Sequence, residues 1–311
     1  MRPIKTFFRH PRLILSKLLR ILSPLIKDDK LYLRLLFRFE MGYWMDFDNP
    51  QTFTEKIQWL KLYNRRPEYT QMVDKYAVKE YVANIIGDEY IIPTIGVWDS
   101  VDDIDFDKLP NQFVLKTTHG GGSSGVFVCR DKSKINIQDI QQCFVKAFEQ
   151  DIYTTLREWP YKGVPKKILC ECFLSEVSNN DLVDYKFYCF RGSVKYCQVI
   201  KDRNTDEKIY FFNQYWEYQQ FSGLYTEPNI DLAPPISLPM PENYSLMLNI
   251  AETLSKDIPF CRVDLYNVMG KVYFGEITFF PASGFGFFAP KEWDNKMGDL
   301  LSLNSYPSVA K

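Results

Sequence analysis

The sequence predicts an α+β fold built largely of antiparallel sheet. Strand-like runs follow one another at 112–117 and 125–130, at 167–174, 184–190, 194–200 and 208–213, and at 260–266 and 271–279. Helical patterns fall in separate stretches near 55–64, 70–86, 136–157 and 242–256. Turn signals at Arg191-Gly192 and at Asn267-Val268-Met269-Gly270 join neighbouring alternating runs, so these pairs read as hairpins and not as crossovers. The chain has 311 residues, 46% hydrophobic and 25% charged, a globular composition with apolar mass for about two cores. No repeat or low-complexity segment interrupts it.

The first 27 residues differ from the rest. They carry seven Lys or Arg, at 2, 5, 9, 12, 17, 20 and 27, and no acid, whereas the other 284 residues have a net charge of −8. Ile14, Leu15, Leu18, Leu19, Leu22 and Leu25 recur at helical spacing, with Pro11 and Pro24 bounding the run. The pattern fits a helix lying on anionic lipid, and it fits a helix docked on the body equally well. No stretch approaches the ~20 apolar residues a bilayer span needs, and the h-region and small-residue cleavage site of a signal peptide are missing. Residues 1–50 therefore read as a basic amphipathic helical segment, and residues 51–311 as the folded domain.

Within that domain, Thr52 and Glu55 have the spacing of a capping box ahead of KIQWLKLY, which starts the first helix. The second, about 70–86, stops at Gly87 and leads into the apolar run IIPTIGVW. Seven cysteines, odd in number and unevenly spaced, read as reduced thiols of a cytoplasmic protein. His10 and His119 are the only imidazoles, which argues against a zinc site. Nothing in the charge pattern points to nucleic acid as a partner.

The stretch FVLKTTHGGGSSGVFVCRD, 113–131, carries the first functional signal. Gly120 to Gly125 formally satisfies G-x-G-x-x-G, but a dinucleotide site needs a helix directly afterwards, and VFVCR is strand-like. A P-loop is absent, and the kinase order, with its lysine on the strand after the loop, does not fit Lys116 on the strand before it. What remains is strand, glycine hairpin, strand. Such glycines let backbone amides approach phosphate oxygens, and an ammonium at the strand end neutralises them.

A second signal lies in CRVDLYNVMGKVYFGEITFFPASG, 261–284, where Asp264 and Glu276 sit on adjacent strands. Facing carboxylates make a hard oxygen site for Mg²⁺, which also takes oxygens from bound phosphates. Arg262 lies two residues before Asp264, hence on the same strand face, where a guanidinium could stabilise a transferring phosphoryl group. A purely structural Arg262 ion pair with either acid is the alternative.

Together these segments resemble a known family. R-x-D, a glycine turn and E-x-x-x-x-P-x-x-G are similar to the metal-binding end of D-alanine:D-alanine ligase-like ATP-grasp enzymes. TFTEKIQWLKLY (52–63), DKYAVKEYV (74–82), DYKFYCFRG (184–192) and FGEITFFPASG (274–284) resemble, more closely, the TupA-like ATP-grasp family of bacterial surface-polysaccharide gene clusters. The resemblance covers about 50–300. It implies an ATP-grasp fold, with two α+β lobes (about 90–170 and 171–300) enclosing ATP and Mg²⁺.

The roles implied are specific. Lys75, with Lys79 as a rival one turn on, would reach phosphate from the cleft edge, and Lys116 would bind the α- and β-phosphates. Gly120, Gly121, Gly122, Ser123, Ser124 and Gly125 would form a lid. Glu171, Cys172, Phe173 and Leu174 look like the hinge that receives adenine, with Glu171 or Glu176 near the ribose. Lys186 would face the phosphates from the second lobe, with Arg203 a weaker candidate, and Arg262 would act on the transferring group. Asp264, Glu276 and Thr278 would ligate metal; Thr278 stands where many relatives have asparagine, a stronger oxygen ligand.

The implied reaction is carboxylate activation, in which the γ-phosphoryl of ATP goes to a carboxylate and an amine then displaces phosphate. Lys116, Lys186, Arg262 and Mg²⁺ would do this by positioning and charge neutralisation. The polysaccharide setting suggests a uronic acid as the carboxylate and an amino acid as the amine. A sugar kinase with Asp184 or Asp202 as base, a glycosyltransferase of the same pathway, and a non-catalytic nucleotide-binding scaffold are the alternatives.

Overall fold

The computed structural model of the chain describes residues 11–122, 125–174, 182–203, 207–225, 232 and 237–303. Two helices, α1 (Arg12–Ile21) and α2 (Asp29–Met41), form a hairpin at the N-terminus. Asp28 caps α2 by accepting from the Leu31 N–H, and Gly42, with φ +88, closes it in the left-handed region. A side chain at Gly42 would collide with the Arg12 guanidinium, which packs on it.

Helix α3 (Phe53–Tyr63) begins with the expected capping box: the Thr52 hydroxyl accepts from the Glu55 N–H while the Glu55 carboxylate accepts from that of Thr52. One 70–86 helix was expected; the structure has two, α4 (Glu68–Val73) and α5 (Ala77–Ile86). The break is the work of Asp74, whose carboxylate accepts from the N–H groups of Tyr76 and Ala77 and so competes with helical bonding. Strands β1 (Thr94–Trp98), β2 (Phe113–Thr117) and β3 (Val126–Cys129) come next, then α6 (Ile137–Phe148) and α7 (Ile152–Leu156). Here too an expected single helix, 136–157, is divided; Asp151 caps α7 at Thr154, and Arg157 ends it at φ +55.

Strand β4 (Ile168–Cys172) completes an antiparallel sheet of order β1-β4-β2-β3. The chain then crosses to β5 (Asp184–Phe190), β6 (Ser193–Lys201), β7 (Lys208–Asn213) and β8 (Tyr218–Gln219). Strand β9 (Ser222–Tyr225), helix α8 (Tyr244–Leu254), strands β10 (Cys261–Val268), β11 (Lys271–Thr278) and β12 (Phe287–Ala289), and helix α9 (Glu292–Leu300) follow. The second sheet, β11-β10-β5-β6-β7-β8, is antiparallel throughout, and β12 pairs with β9 apart from it. Arg191-Gly192 and Met269-Gly270 have positive φ at both turn positions, as two-residue hairpins with matching twist require. The change of sheet comes after Cys172, so the expected lobe boundary at 170/171 falls inside β4.

Each sheet has its own core. Phe113, Leu115, Ile168 and Cys170 pack with Ile140 and Phe144 of α6, and Phe187, Cys189, Val263, Leu265 and Ile277 pack with Ile57 of α3 and Ile250 and Ala251 of α8. A third cluster joins Leu33, Leu36 and Phe37 of α2 to Phe285. The seven cysteines are free thiols.

Asp294 of α9 fixes that helix to α3 by accepting from the Thr54 N–H at 2.9 Å and its hydroxyl at 2.8 Å. Burial pushes its carboxyl up to about 6 against the lowering effect of those bonds. A carboxyl whose pKa is raised on folding contributes stability below its unfolded value that is lost as pH rises through the folded one. The stability of Asp294→Asn relative to wild type is therefore expected to improve by on the order of 2 kcal/mol between pH 4 and about 7. Urea melts at both pH values check this; an unchanged difference would show that Asp294 does not titrate there.

Candidate functional site

Strand alternation decides which side chains face the cleft. On β5, Phe187 and Cys189 go to the core, which turns Asp184 and Lys186 to the other face, while Tyr188 on that face is itself buried in the core. On β10, Val263 and Leu265 go to the core, leaving Arg262 and Asp264 beside them. In register, Asp264 stands opposite Lys186 on one side and Glu276 on the other, and Arg262 stands between Tyr188 and Thr278. A bulge at Gly275 makes this possible, since Asp264 pairs with Glu276 but Leu265 with Phe274. Any Cβ at Gly275 would lie 3.0 Å from the Asp264 carbonyl oxygen.

The groups on this face are closely bonded. Arg262 donates from Nε to Asp264 Oδ1 (2.6 Å) and from Nη2 to Asp264 Oδ2 (2.8 Å), Glu276 Oε1 (3.2 Å) and Thr278 Oγ1 (3.2 Å). Lys186 also pairs with Asp264, and Asp184 pairs with Arg203 (2.9 Å) and Lys186 (3.7 Å). Burial alone would lower the Arg262 pKa, but the Asp264 carboxylate holds it above the usual range. Burial alone would raise that of Glu276, yet Lys75, Lys186, Arg262 and Lys116 together hold it well below the usual carboxylate range.

The opposing wall comes from the first sheet and α4–α5. Glu171 on β4 is 5% exposed and sits between two ammonium groups, Lys79 at 2.5 Å and Lys116 at 2.6 Å. Burial raises its pKa less than Lys116 and Lys79 lower it, so it stays ionised. Burial pushes the Lys79 ammonium down despite Glu171, and Lys79 also donates to the Ile92 carbonyl at 2.6 Å. Lys75, placed by the α4–α5 break, donates from its backbone to Thr118 O (3.1 Å) and from Nζ to Gly120 O (2.6 Å), and lies 3.6 Å from Glu276. It thereby joins the glycine hairpin to the second sheet.

The cleft network holds Lys75, Lys79, Lys116, Lys186, Arg203 and Arg262 against Glu171, Asp184, Glu207, Asp264 and Glu276. Cations outnumber carboxylates, a charge balance that suits a polyphosphate. In the hairpin, a Cβ at Gly122 (φ +64) would meet nothing within 4 Å among the described residues, whereas one at Gly125 (φ +72) would lie 2.5 Å from Thr117 Oγ1. Gly121 abuts Ile152 of α7. Ser123, Ser124 and Glu176 lie outside the described residues.

At the expected hinge, the Cys172 N–H is already bonded to Pro93 O (3.0 Å), Phe173 lies 5.3 Å beneath the Arg130 guanidinium, and Leu174 is half-buried. The Glu171 side chain points into the lysine pair. Of the two acids weighed as a kinase base, Asp184 is held by Arg203 and Lys186, and Asp202 has a left-handed backbone after β6.

Among the described residues no group of three or more His, Cys, Asp or Glu could hold a metal ion. Asp264 and Glu276 are the hard oxygen donors Mg²⁺ takes, commonly one or two carboxylates with phosphate oxygens and water completing the shell, and here Arg262 and Lys186 occupy their oxygens. Thr278 Oγ1 lies 3.4 Å from Glu276 Oε1, close enough to share a ligand sphere.

Sequence reasoning missed the support beneath this site. Gln58 and Lys61 of α3 reach the turn 281–284, where Ala282 (φ 48) and Ser283 (φ 55) are left-handed. Lys61 donates to Ser283 O (2.8 Å), Ser283 Oγ (2.7 Å) and Leu156 O (2.9 Å), and Gln58 donates to Ser283 O and Gly284 O. Their spacing, one helical turn apart inside KIQWLK, was the available signal.

No curated protein matches the chain. Among solved structures, D-alanine-D-alanine ligase from Helicobacter pylori is similar at 17% identity and TM-score 0.43 over 80% of this chain and 69% of its own. The Bacillus anthracis ligase complexed with ATP is similar at 18% and 0.42 over 74% and 63%, and biotin carboxylase from Campylobacter jejuni at 14% and 0.42 over 77% and 47%. The chain thus spans between about half and about two thirds of the length of these proteins. The model of the family described as TupA-like ATPgrasp matches residues 55–302, which contain both sheets and every described cation and carboxylate of the cleft network. The chain therefore belongs to the TupA-like ATP-grasp family.

Proposed function

We propose that the protein is an ATP-dependent carboxylate-amine ligase that joins an amino acid to a uronic acid in surface-polysaccharide biosynthesis. The observation that carries the reading is the cross-strand pair Asp264 and Glu276 on a sheet face met by Lys75, Lys116, Lys186 and Arg262. Family membership supports the nucleotide, and the polysaccharide setting implied by the resemblance supports the sugar acid and the amino acid.

Lys75 and Lys116 bind phosphate oxygens from the first lobe and the hairpin 120–125 covers them. Of the hinge 171–174, Phe173 and Leu174 take adenine, because the Cys172 N–H is bonded to Pro93 O and the Glu171 carboxylate to Lys79 and Lys116, and Lys186, with Arg203 behind it, meets the phosphates from the second lobe. Asp264, Glu276 and Thr278 would hold Mg²⁺, which when bound would supply positive charge to offset that of the phosphates. The γ-phosphoryl passes to the substrate carboxylate with ADP leaving. The amine then forms the C–N bond, phosphate departs and the amine loses its proton. Arg262 carries the charge that builds on the transferring group. No side-chain nucleophile is needed, because the work is positioning and charge neutralisation.

The test is a matrix of uronic acids and amino acids, free and nucleotide-linked, incubated with ATP and Mg²⁺ and read by mass spectrometry. One acid-amine combination should yield ADP, phosphate and a product lighter than its two substrates by one water. ADP with a phosphorylated sugar and no amide would make the enzyme a kinase instead.

A further inference from the structure

Helix α1 turns its apolar side away from the protein. Ile14, Leu15, Leu18, Ile21 and Leu22 are 48–73% exposed, and Leu25 in the following turn is 78% exposed. At 3.6 residues per turn these positions fall within one arc of about 120°. The opposite side, Leu13, Ser16 and Leu19, is buried. Polar bonds do much of the holding there: Ser16 and Arg20 donate to Glu40 of α2, and Arg157 donates to Ser23 O (3.0 Å) and Ile26 O (2.6 Å) while its Nε pairs with Asp29 at 2.8 Å. A helix docked in the ordinary way would bury its leucine stripe. This one is fixed to the body by the other side.

We infer that this stripe is a membrane-docking surface that lies on anionic lipid. Charge selects that occupant. Residues 1–27 contain seven Lys or Arg and no acid, and the remaining chain is net −8, so an anionic surface attracts this tip and repels the body behind it. Lys17 and Lys27 are exposed near the apolar arc, the arrangement of an interfacial helix whose leucines enter the acyl boundary while ammonium groups stay among the headgroups. The sequence ahead, with Arg2, Ile4, Lys5, Phe7, Phe8 and Arg9, has the same mixed composition. Among the described residues no helix is long and apolar enough to cross a membrane, so the contact is peripheral. Because Arg157 ends α7, whose Ile152 Cδ1 would lie 3.2 Å from a Cβ at Gly121, the docked helix is attached to the segment that borders the glycine hairpin. The inference stands independently of the ligase reading.

Co-sedimentation of the full chain with vesicles of phosphatidylcholine, with and without phosphatidylglycerol, tests it. Binding should require phosphatidylglycerol, weaken with added salt, and fall by about tenfold or more in Leu18→Glu/Leu22→Glu. Both leucines are half exposed, so the variant should keep its melting temperature and its ATP binding. Equal binding of wild type and variant, or binding indifferent to anionic lipid, would overturn the inference. So would light scattering that shows a wild-type dimer which the two glutamates dissociate, since the stripe would then serve a second copy of the chain.

Discussion

Glu276→Gln is expected to slow ATP-dependent turnover by about two orders of magnitude or more, in line with the loss of one preorganised electrostatic contact to a transferring group. Glutamine preserves the shape of the side chain and removes the charge we propose as a Mg²⁺ ligand beside Asp264. The structural cost should be small, because Glu276 is 37% exposed and its ion pairs, Arg262 at 3.2 Å and Lys75 at 3.6 Å, are partly open to water. Asp264→Asn should lose turnover to a similar degree but also stability, since Asp264 is 4% exposed and paired with both Arg262 and Lys186. Initial rates of ADP release and thermal melts on the same preparations separate the two contributions. Near-normal turnover in Glu276→Gln would make the pair structural and remove the proposed metal role.

How much of this was legible follows from how local each feature is. The hairpins at 191–192 and 269–270 could be read because a left-handed turn demands glycine beside it, and the capping box because two side chains three residues apart suffice. The common face of Arg262 and Asp264 followed from strand period alone. That Glu276, and not Gly275, faces Asp264 depends on a bulge, which the sequence marks only by placing glycine in a strand. The helix breaks at Asp74 and Asp151 were hidden because an acid that bonds backbone amides looks like any acid on a helix surface. The pairing of β1 with β4 was equally hidden: it joins residues seventy or more positions apart, and the β1 segment is short and contains Gly96.

The N-terminus shows the limit of periodicity most clearly. The leucine spacing identified a helix but could not say which side it presents to the body. That is decided by Glu40 and Arg157, the second of them far along the chain, whose polar contacts draw Ser16, Arg20 and the turn at 23–26 inward. Glu171 is a similar case. The hinge resemblance offered it to the ribose, whereas three elements, β2, β4 and α5, converge to place it between two lysines.

That placement leads to the largest expected effect on stability. Glu171→Gln should destabilise the fold by about 3–5 kcal/mol, the range seen when one partner of a buried ion pair is removed and the other is left charged. Two ammonium groups are stranded here, with side-chain exposures of only 12% for Lys79 and 20% for Lys116. For a chain of this size the melting temperature should fall by on the order of 10 °C. The sign with pH is fixed: the Glu171 pKa is lowered on folding, so its stabilisation is present above the ordinary glutamate range and lost as pH falls toward the folded value. The gap between wild type and variant should therefore narrow in acid. Lys79→Met added to Glu171→Gln should cost less than the sum of the single changes, because it removes one stranded charge. Saturating ATP should recover part of the loss by giving Lys116 a phosphate partner. A glutamate that served only the ribose would behave differently, raising the KM for ATP while leaving the melting temperature and its pH dependence unchanged. Calorimetry of the variants across pH, with and without ATP, distinguishes a residue that holds the cleft together from one that only touches the nucleotide.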